Sequence, residues 1–139
     1  MKKHKGNVLL TVPLLAFIII SLSGCKAKDS NLKKIQDLEY TIVEEADIPE
    51  ALLTYIDDKK ENPFKLSYSN ENDLYIVIGY GKQLSGGYSI TVDELYESEE
   101  NIIIKTNLVG PSKEETNESV TYPYIVLKIK FTEKKPEFM

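Results

Sequence analysis

The sequence predicts a mainly β protein of the α+β class: a small antiparallel β-sandwich or partly open barrel with one N-terminal amphipathic helix. From residue 64 onward, β-branched and aromatic residues recur with a period of two, which is typical of strands with one buried face. One earlier segment instead has apolar residues at helical spacing. Residues 25–139 are long enough for one domain and too short for two.

The helix is predicted over about Ile48–Lys60, where one face is apolar and the opposite face is charged. The apolar positions with i, i+3 and i+4 spacing are Leu52, Tyr55 and Ile56. Asp47 is expected to cap the helix, because Glu50 stands three residues later in capping-box spacing and Pro49 falls in the first turn. Asn62-Pro63 should end the helix.

Six segments have the composition and alternation of strands. In chain order they are residues 38–42, Phe64–Ser69, Leu74–Tyr80, Tyr88–Leu95, Asn101–Thr106 and Tyr124–Phe131. In the first of them, Leu38, Tyr40 and Ile42 would share a buried face. The alternation breaks between Val92 and Leu95, which indicates a β-bulge. Residues 97–100 should form a hairpin turn, and residues 108–121 a long polar connection.

The N-terminal segment has the organisation of a secretory signal. Three lysines precede an apolar run, Val8–Leu22, that contains Pro13 and is shorter than the roughly 20 residues that a transmembrane helix needs. The run ends in Leu22-Ser23-Gly24-Cys25, which resembles the bacterial lipobox, in which an aliphatic and two small residues precede a lipidated cysteine. The alternatives are a plain Sec cleavage region and an uncleaved anchor whose cysteine is incidental.

The lipobox resemblance implies a bacterial lipoprotein that is held on the extracytoplasmic face of a membrane by acyl chains, such as palmitate, on Cys25. Two or three acyl chains give stable anchoring where a single chain does not. The predicted organisation is a signal peptide over residues 1–24, a tether over 25–37, the β domain over 38–131 and a tail over 132–139.

The composition of the chain after residue 24 excludes several kinds of function. Three of the 17 basic residues precede Cys25, so 14 lysines remain against 22 acidic residues, and the net charge of −8 disfavours binding to nucleic acid. His4 also precedes Cys25, and the chain has no arginine. Without histidine or a free thiol, a catalytic triad, a Cys-His nucleophile and a thiolate or imidazole zinc site are all excluded. We expect no catalytic residue, metal or cofactor.

Carboxylates are the remaining groups with catalytic or metal-binding chemistry, and they cluster in one segment. The cluster consists of Asp93, Glu94, Glu97, Glu99 and Glu100. A glycosidase pair or a calcium site would use such groups, but the chain has no Asp-x-Asp-x-Asp-Gly loop. Charged side chains beside a turn usually lie on a solvent-exposed sheet edge, where they prevent pairing with other strands, and we favour that interpretation.

Residues 81–87 are the densest glycine cluster of the chain and join two predicted strands. A phosphate loop would need Gly-Lys-Ser/Thr opening a helix, whereas Gln83 follows Lys82 and a strand comes next. The two remaining interpretations are a hairpin connection, in which glycines supply positive φ, and a loop whose exposed backbone docks a partner.

Tyr122, Pro123 and Tyr124 form a second conspicuous cluster at the start of the last predicted strand. The two rings either cap the hydrophobic core or provide contact residues for a partner, a role that exposed tyrosines fill well. Proline is acceptable here because the first residue of a strand does not yet need a ladder donor.

Four short motifs follow one another with characteristic spacing: Gly79-Tyr80-Gly81, Ser85-Gly86-Gly87-Tyr88-Ser89-Ile90, Asn101-Ile102-Ile103-Ile104 and Thr121-Tyr122-Pro123-Tyr124. This order resembles the C-terminal domain family of the protease-complex subunit PrcB, over about Leu74–Ile129. Family members typically show Thr-Gly-Gly-Tyr where this chain has Ser85-Gly86-Gly87-Tyr88, which keeps the hydroxyl. The resemblance implies association with a secreted protease complex and its stabilisation, without catalysis. A weaker similarity, limited to one loop, is to chagasin-like cysteine protease inhibitors.

Two classes of function are compatible with these observations. The leading hypothesis is a non-enzymatic, membrane-tethered accessory domain that binds an exported protein, in particular a protease, through Ser85, Gly86, Gly87, Tyr88, Tyr122, Pro123 and Tyr124. The second is an envelope lipoprotein that holds a small ligand or glycan between sheet and helix, which predicts an aromatic-lined cavity.

Overall fold

The computed structural model describes residues 33–139. The predicted signal peptide, Cys25 and residues 25–32 of the predicted tether lie outside the described residues. The described elements are β1 (Lys34–Asp37), β2 (Thr41–Ile42), α1 (Glu50–Lys59), β3 (Pro63–Ser69), β4 (Asp73–Tyr80), β5 (Ser89–Ser98), β6 (Asn101–Val109), β7 (Tyr124–Lys130) and β8 (Lys135–Phe138), with a short 3-10 helix at Glu45–Asp47 before α1.

The described strands form two separate four-stranded sheets, which confirms the β-rich α+β sandwich and not the barrel form. Sheet A has the strand order β1-β5-β6-β8, and sheet B has the order β2-β7-β4-β3. Neighbouring strands are antiparallel except β6 and β8, which are parallel. Tyr80 in sheet B and Thr106 in sheet A join the two sheets through a hydrogen bond of 2.6 Å between their hydroxyls.

Alternation along β4 places sheet B between two hydrophobic cores, because successive side chains point to opposite faces. The core between the sheets contains Leu74, Ile76, Ile78, Leu95, Ile102, Ile104, Ile125, Leu127 and Ile129. The core between sheet B and α1 contains Ile48, Leu52, Ile56, Tyr75, Val77 and Val126. The molecule therefore has three layers, with α1 covering the outer face of sheet B.

The predicted helix is present, but its N-terminal cap was assigned to the wrong residue. The helix spans Glu50–Lys59, and Pro49 occupies the N-cap position without a side-chain hydrogen bond to the helix. Asp47 instead ends the preceding 3-10 helix. The capping box does not form, because this extra turn moves Asp47 away from the first helical N–H groups.

Three edge strands differ from the sequence prediction. Residues 38–42 do not form one strand with a buried face: the chain crosses there from sheet A to sheet B, and Ile42 is 53% exposed. Lys34–Asp37, in the predicted tether, pairs with β5, and Lys135–Phe138, in the predicted tail, pairs with β6. β1 is exposed throughout, and the four residues of β8 contribute only Phe138 to the core between the sheets, so neither segment shows the alternation on which the prediction depended.

The glycine-rich connection after β4 is a crossover and not a hairpin. β4 belongs to sheet B and β5 to sheet A, so residues 81–88 carry the chain from one sheet to the other. Gly81 and Gly87 have φ values of 74° and 82°, which confirms the expected need for positive φ. The predicted hairpin turn between β5 and β6 and the bulge between Val92 and Glu94 are also confirmed.

Strand directions give the sandwich two distinct ends, each defined by its connections. The hairpin end contains residues 70–72, 99–100 and 131–134, together with Lys34 at the start of β1. Lys34 pairs with Ser98, and the Phe131 N–H donates to the Asn72 carbonyl over 2.9 Å. The loop end contains residues 60–62, 81–88 and 110–123, which include both clusters predicted to contact a partner.

Candidate docking loops

Two sequence clusters that lie far apart in the chain meet at the loop end. Gln83 and Thr121 form an isolated antiparallel bridge, with reciprocal backbone hydrogen bonds of 2.8 and 3.0 Å. The Thr121 hydroxyl also donates to the Ser85 carbonyl over 2.7 Å. The 81–88 loop and the segment leading into Tyr122 are therefore one joined surface.

Ser85 acts within this surface as a buried connector, not as an exposed contact. Its hydroxyl donates to the Gly86 carbonyl over 2.9 Å and accepts the backbone N–H of Asn117 at 3.1 Å. The Asn117 side-chain oxygen in turn accepts the Gly86 N–H at 3.0 Å. Ser85 is 9% exposed, and its bonds hold the 110–123 loop against the 81–88 loop at the edge of the protein interior.

Gly86 and Gly87 allow the 110–123 loop to approach closely. A Cβ on Gly86 would lie 2.8 Å from the Asn117 side-chain nitrogen, and a Cβ on Gly87 would lie 2.8 Å from Cβ of Pro111. Gly79, in the motif Gly79-Tyr80-Gly81, is needed for a similar reason, because a Cβ at this position would overlap the Phe64 ring. Packing thus explains these glycines, and Gly87 also needs its positive φ.

Leu84 is the most prominent apolar side chain of this end. It is 75% exposed, and Val120, which flanks the same bridge on the opposing segment, is 46% exposed. Further along the same loop, Gly87 is exposed and Tyr88 is half-buried. An exposed leucine next to an exposed valine on a loop held by hydrogen bonds offers a preordered apolar contact.

Tyr122 and Tyr124 lie toward the C-terminal end of α1 and are only partly exposed. Tyr124 packs against the core beneath α1. Burial, followed by a hydrogen bond to Glu61, raises the pKa of the Tyr122 phenol, and the Lys60 ammonium lies 5.5 Å from its ring centroid. Burial likewise raises the pKa of Tyr124. Tyr124 therefore serves mainly as a core residue, and Tyr122 links α1 to the loop end.

The exposed charges of the two docking loops are more often negative than positive. Glu114, Glu115 and Glu118 are exposed on the 110–123 loop, and the exposed cations are Lys113 on the same loop and Lys82 on the 81–88 loop. Glu115 also stabilises the local turn, because its carboxylate accepts the Ser112 N–H at 3.1 Å. The two loops together therefore have a net charge of −1.

Within the acidic segment formed by β5 and the turn after it, Glu97 has a structural role. Glu97 accepts hydrogen bonds from Lys134 at 2.6 Å and from Gln36 at 2.8 Å, which ties β1 and the 131–134 connection to β5. These bonds, with Lys134 first, lower the pKa of Glu97. Within residues 33–139, no three His, Cys, Asp or Glu residues are grouped to hold a metal ion.

Two surface grooves bear on ligand binding. The larger, of about 1050 Å³, runs along the segment between β1 and β2 and is bordered by Leu38, Tyr40 and Phe131. The smaller, of about 390 Å³, lies where β3 meets the C-terminal Met139. Both are open to solvent, and neither lies between sheet B and α1, where the second hypothesis expected an aromatic-lined cavity.

Sequence reasoning identified the two loops but not the side chains that are exposed on them. Leu84 lies inside the glycine-rich cluster and Val120 directly before the second cluster, but isolated apolar residues in loops carry no periodic signal. Sequence reasoning also missed Asn117, which connects both loops. An asparagine four residues before a bridge gives no local indication of its partner, Gly86, 31 residues away.

Comparison with known proteins gives one match. A model of the family described as PrcB C-terminal matches residues 74–130, from the second residue of β4 to the end of β7. The match includes both docking loops and confirms the resemblance inferred from the motif order. No curated protein and no solved structure matches the chain. Within residues 33–139, no helix reaches the length and apolarity that crossing a bilayer requires.

Proposed function

We propose, from the premise that residues 74–130 of this chain belong to the PrcB C-terminal family, that the protein is a non-enzymatic accessory subunit of an exported protease complex. It is anchored through lipid on Cys25 and binds its partner with the loop end. The family membership supports association with a protease complex. The anchoring, the partner and its contact surface are our proposals.

The observation that carries the proposal is the exposure of Leu84 at the centre of the family's motif loops. Leu84 is 75% exposed although the residues on either side of it are fixed: Gln83 by the bridge to Thr121 and Ser85 by Asn117. Because the loop is already ordered, a partner would bury this side chain without the usual cost of ordering a flexible segment. Burying one leucine contributes about 1.5 to 3 kcal/mol.

We assign two roles to the residues of the loop end: contact with the partner and support of the contact surface. Leu84, Val120 and the exposed backbone of Gly87 would touch the partner, with Tyr88 and Tyr122 at the border. Ser85, Gly86, Pro123 and Tyr124 would support the surface from beneath, as Pro123 does by accepting the Tyr80 N–H at 2.9 Å.

Site-specific photo-cross-linking in the native host tests this proposal. A photoreactive amino acid replaces Leu84 in the full-length lipoprotein, and a matched variant carries it at Tyr55, which is 55% exposed on α1. We expect the position-84 variant alone to form an adduct with an exported protease or a subunit of its complex, identified by mass spectrometry. Leu84→Ser should lower co-purification of that protein about tenfold, as loss of one buried leucine implies.

The same experiment separates the anchor from the docking surface. Cys25→Ser should release the protein from the membrane fraction and remove the acyl mass, while the isolated domain keeps its affinity for the captured protein. Equal adducts from positions 84 and 55, or an adduct with a cytoplasmic protein only, would contradict the proposed docking surface.

The groove between β1 and β2 favours a second candidate function, the binding of a small ligand or glycan. Tyr40 is 41% exposed and Phe131 is 46% exposed beside it, and half-exposed rings offer stacking faces to a sugar. Thermal unfolding with peptidoglycan fragments tests it. A shift in Tm that Tyr40→Ala abolishes would support this function, and the absence of any shift at millimolar concentration would exclude these ligands.

A further inference from the structure

The tether enters the folded domain at the end opposite to the docking loops. β1 begins at Lys34, which pairs with Ser98 beside the turn between β5 and β6. From this end, β4 and β6 run toward the loop end, where they lead into residues 81–88 and 110–123. β4 has eight residues, so the two ends are separated by about 25 Å at the usual strand rise.

The reach of the tether sets the position of the hairpin end relative to a lipid on Cys25. Eight residues, 26–33, lie between Cys25 and β1, and an extended chain of that length spans at most about 28 Å. The hairpin end therefore lies within about 28 Å of the lipid anchor, while the loop end lies about 25 Å further along the strands and has no covalent connection to the bilayer.

Leu84 and Val120 could in principle enter either a lipid surface or a protein recess, and charge distinguishes the two. The two docking loops carry three exposed carboxylates, Glu114, Glu115 and Glu118, against two exposed ammonium groups, Lys82 and Lys113. Membrane-inserting loops carry an excess of basic residues that attracts them to the anionic bilayer, whereas these loops have a net charge of −1. A net negative charge beside the apolar pair instead suits a protein recess that is edged by cationic side chains.

We infer that the loop end faces away from the membrane and takes an exported protein partner that stands clear of the bilayer, with an apolar recess for Leu84 edged by basic side chains. This inference rests on the proposed function, because it uses both the anchor on Cys25 and the docking role of Leu84. It adds the orientation of the domain and the chemistry of the partner surface.

Energy transfer to labelled lipid tests the orientation without needing the partner. The full-length lipoprotein is purified from membranes and reconstituted into vesicles of phosphatidylethanolamine and phosphatidylglycerol that contain an acceptor lipid. A donor dye is attached to Ser119→Cys at the loop end or, as the matched variant, to Glu71→Cys at the hairpin end; both native side chains are exposed. Cys25 carries the lipid, so each variant has one free thiol.

We expect transfer from position 71 to be at least twofold more efficient than transfer from position 119. Transfer from 119 should not change when Leu84→Ser and Val120→Ser are added, because neither side chain contacts lipid. Equal or stronger transfer from 119, or its loss in the double serine variant, would overturn the inference and show that the tip meets the bilayer. If the protein fails to remain on the vesicles, the proposed anchor fails instead, and the inference fails with it.

The partner surface is tested with the protease component identified by cross-linking. Glu114→Gln with Glu118→Gln should weaken its binding to the lipoprotein severalfold at low salt, and the difference should shrink as ionic strength rises. The matched pair, Glu71→Gln with Glu133→Gln, removes the same charge at the hairpin end and should have no effect. Equal effects of the two pairs would contradict the proposal that basic side chains edge the partner's recess, but would leave the docking role of Leu84 intact.

Discussion

At the scale of single residues, neighbouring positions of the 81–88 loop have different tasks that the sequence alone does not distinguish. Ser85, Gly86 and Gly87 hold two loops together, whereas Leu84, which is not part of the motif, projects into solvent. Recurrence of the glycines in a family is therefore expected from loop packing alone. The contact residue on the same loop is free to vary with the partner.

Gly87→Ala tests the packing role. Its φ of 82° is unfavourable for alanine by about 1 to 2 kcal/mol, and the new Cβ would lie 2.8 Å from Cβ of Pro111, so the free energy of unfolding should fall by at least that amount. Gly110→Ala is the matched control, since its nearest neighbour would be the Tyr88 ring at 3.9 Å. Urea unfolding measures both variants, and equal stability of the two would contradict the assigned role.

Ser85→Ala tests the hydroxyl that the motif retains. The substitution removes the acceptor of the Asn117 N–H in a partly buried site, which should cost about 1 kcal/mol of stability. Ser85→Thr keeps the hydroxyl and should lose much less, in agreement with the threonine typical of the family. Amide hydrogen exchange should show faster exchange in residues 110–123 for the alanine variant alone; unchanged protection would argue against the connection.

At the scale of elements, the sequence predicts the helix and those strands whose own apolar residues face the hydrophobic cores. α1, β4, β5 and β7 are each placed close to their observed positions, because apolar residues recur in them with the period of the element. β1 is not predicted, because KIQD is exposed throughout and is held by backbone pairing with β5. β8 is not predicted, because KPEF is short and offers only one apolar side chain, Phe138, to the core between the sheets. The crossover after β4 could not be distinguished from a hairpin, because glycines with positive φ are needed in both.

Glu97 links three elements that sequence reasoning left unconnected, and its ionisation should control their stability. The hydrogen bond from Lys134, and then that from Gln36, lower the pKa of Glu97 from its ordinary value of 4.5. A carboxylate with a lowered pKa stabilises the folded state at pH values above 4.5, and the contribution is lost as pH falls through the folded-state pKa.

We therefore expect Glu97→Gln to be less stable than the wild type at neutral pH, with the difference disappearing in acid once Glu97 of the wild type is protonated. Lys134→Met should give the same convergence, because it removes the main cause of the lowered pKa. Urea unfolding between pH 7 and pH 3 measures the difference. A stability difference that is constant over this range would show that Glu97 contributes through packing and not through its charge.

At the scale of the whole molecule, the family match is smaller than the folded unit. Residues 74–130 contain β4 to β7, but β1, β2, β3 and β8 complete the two sheets and α1 forms the outer layer. The sequence could place the docking loops by motif, but not their position relative to the tether. That position depends on β1 pairing with β5, a contact between residues more than 55 apart.

A fragment of residues 74–130 should consequently fail to fold, whereas residues 33–139 should fold. In the fragment, Tyr75, Val77 and Val126 would lose α1 and become a solvent-facing apolar surface on the outer side of sheet B. Amide dispersion in a two-dimensional NMR spectrum measures the outcome directly. A well-dispersed spectrum from the fragment would mean that α1 is an addition to the family's domain, and the docking loops could then act without it. A collapsed spectrum would mean that the matched segment of this chain needs the flanking elements, α1 and the outer strands of the two sheets, in order to fold.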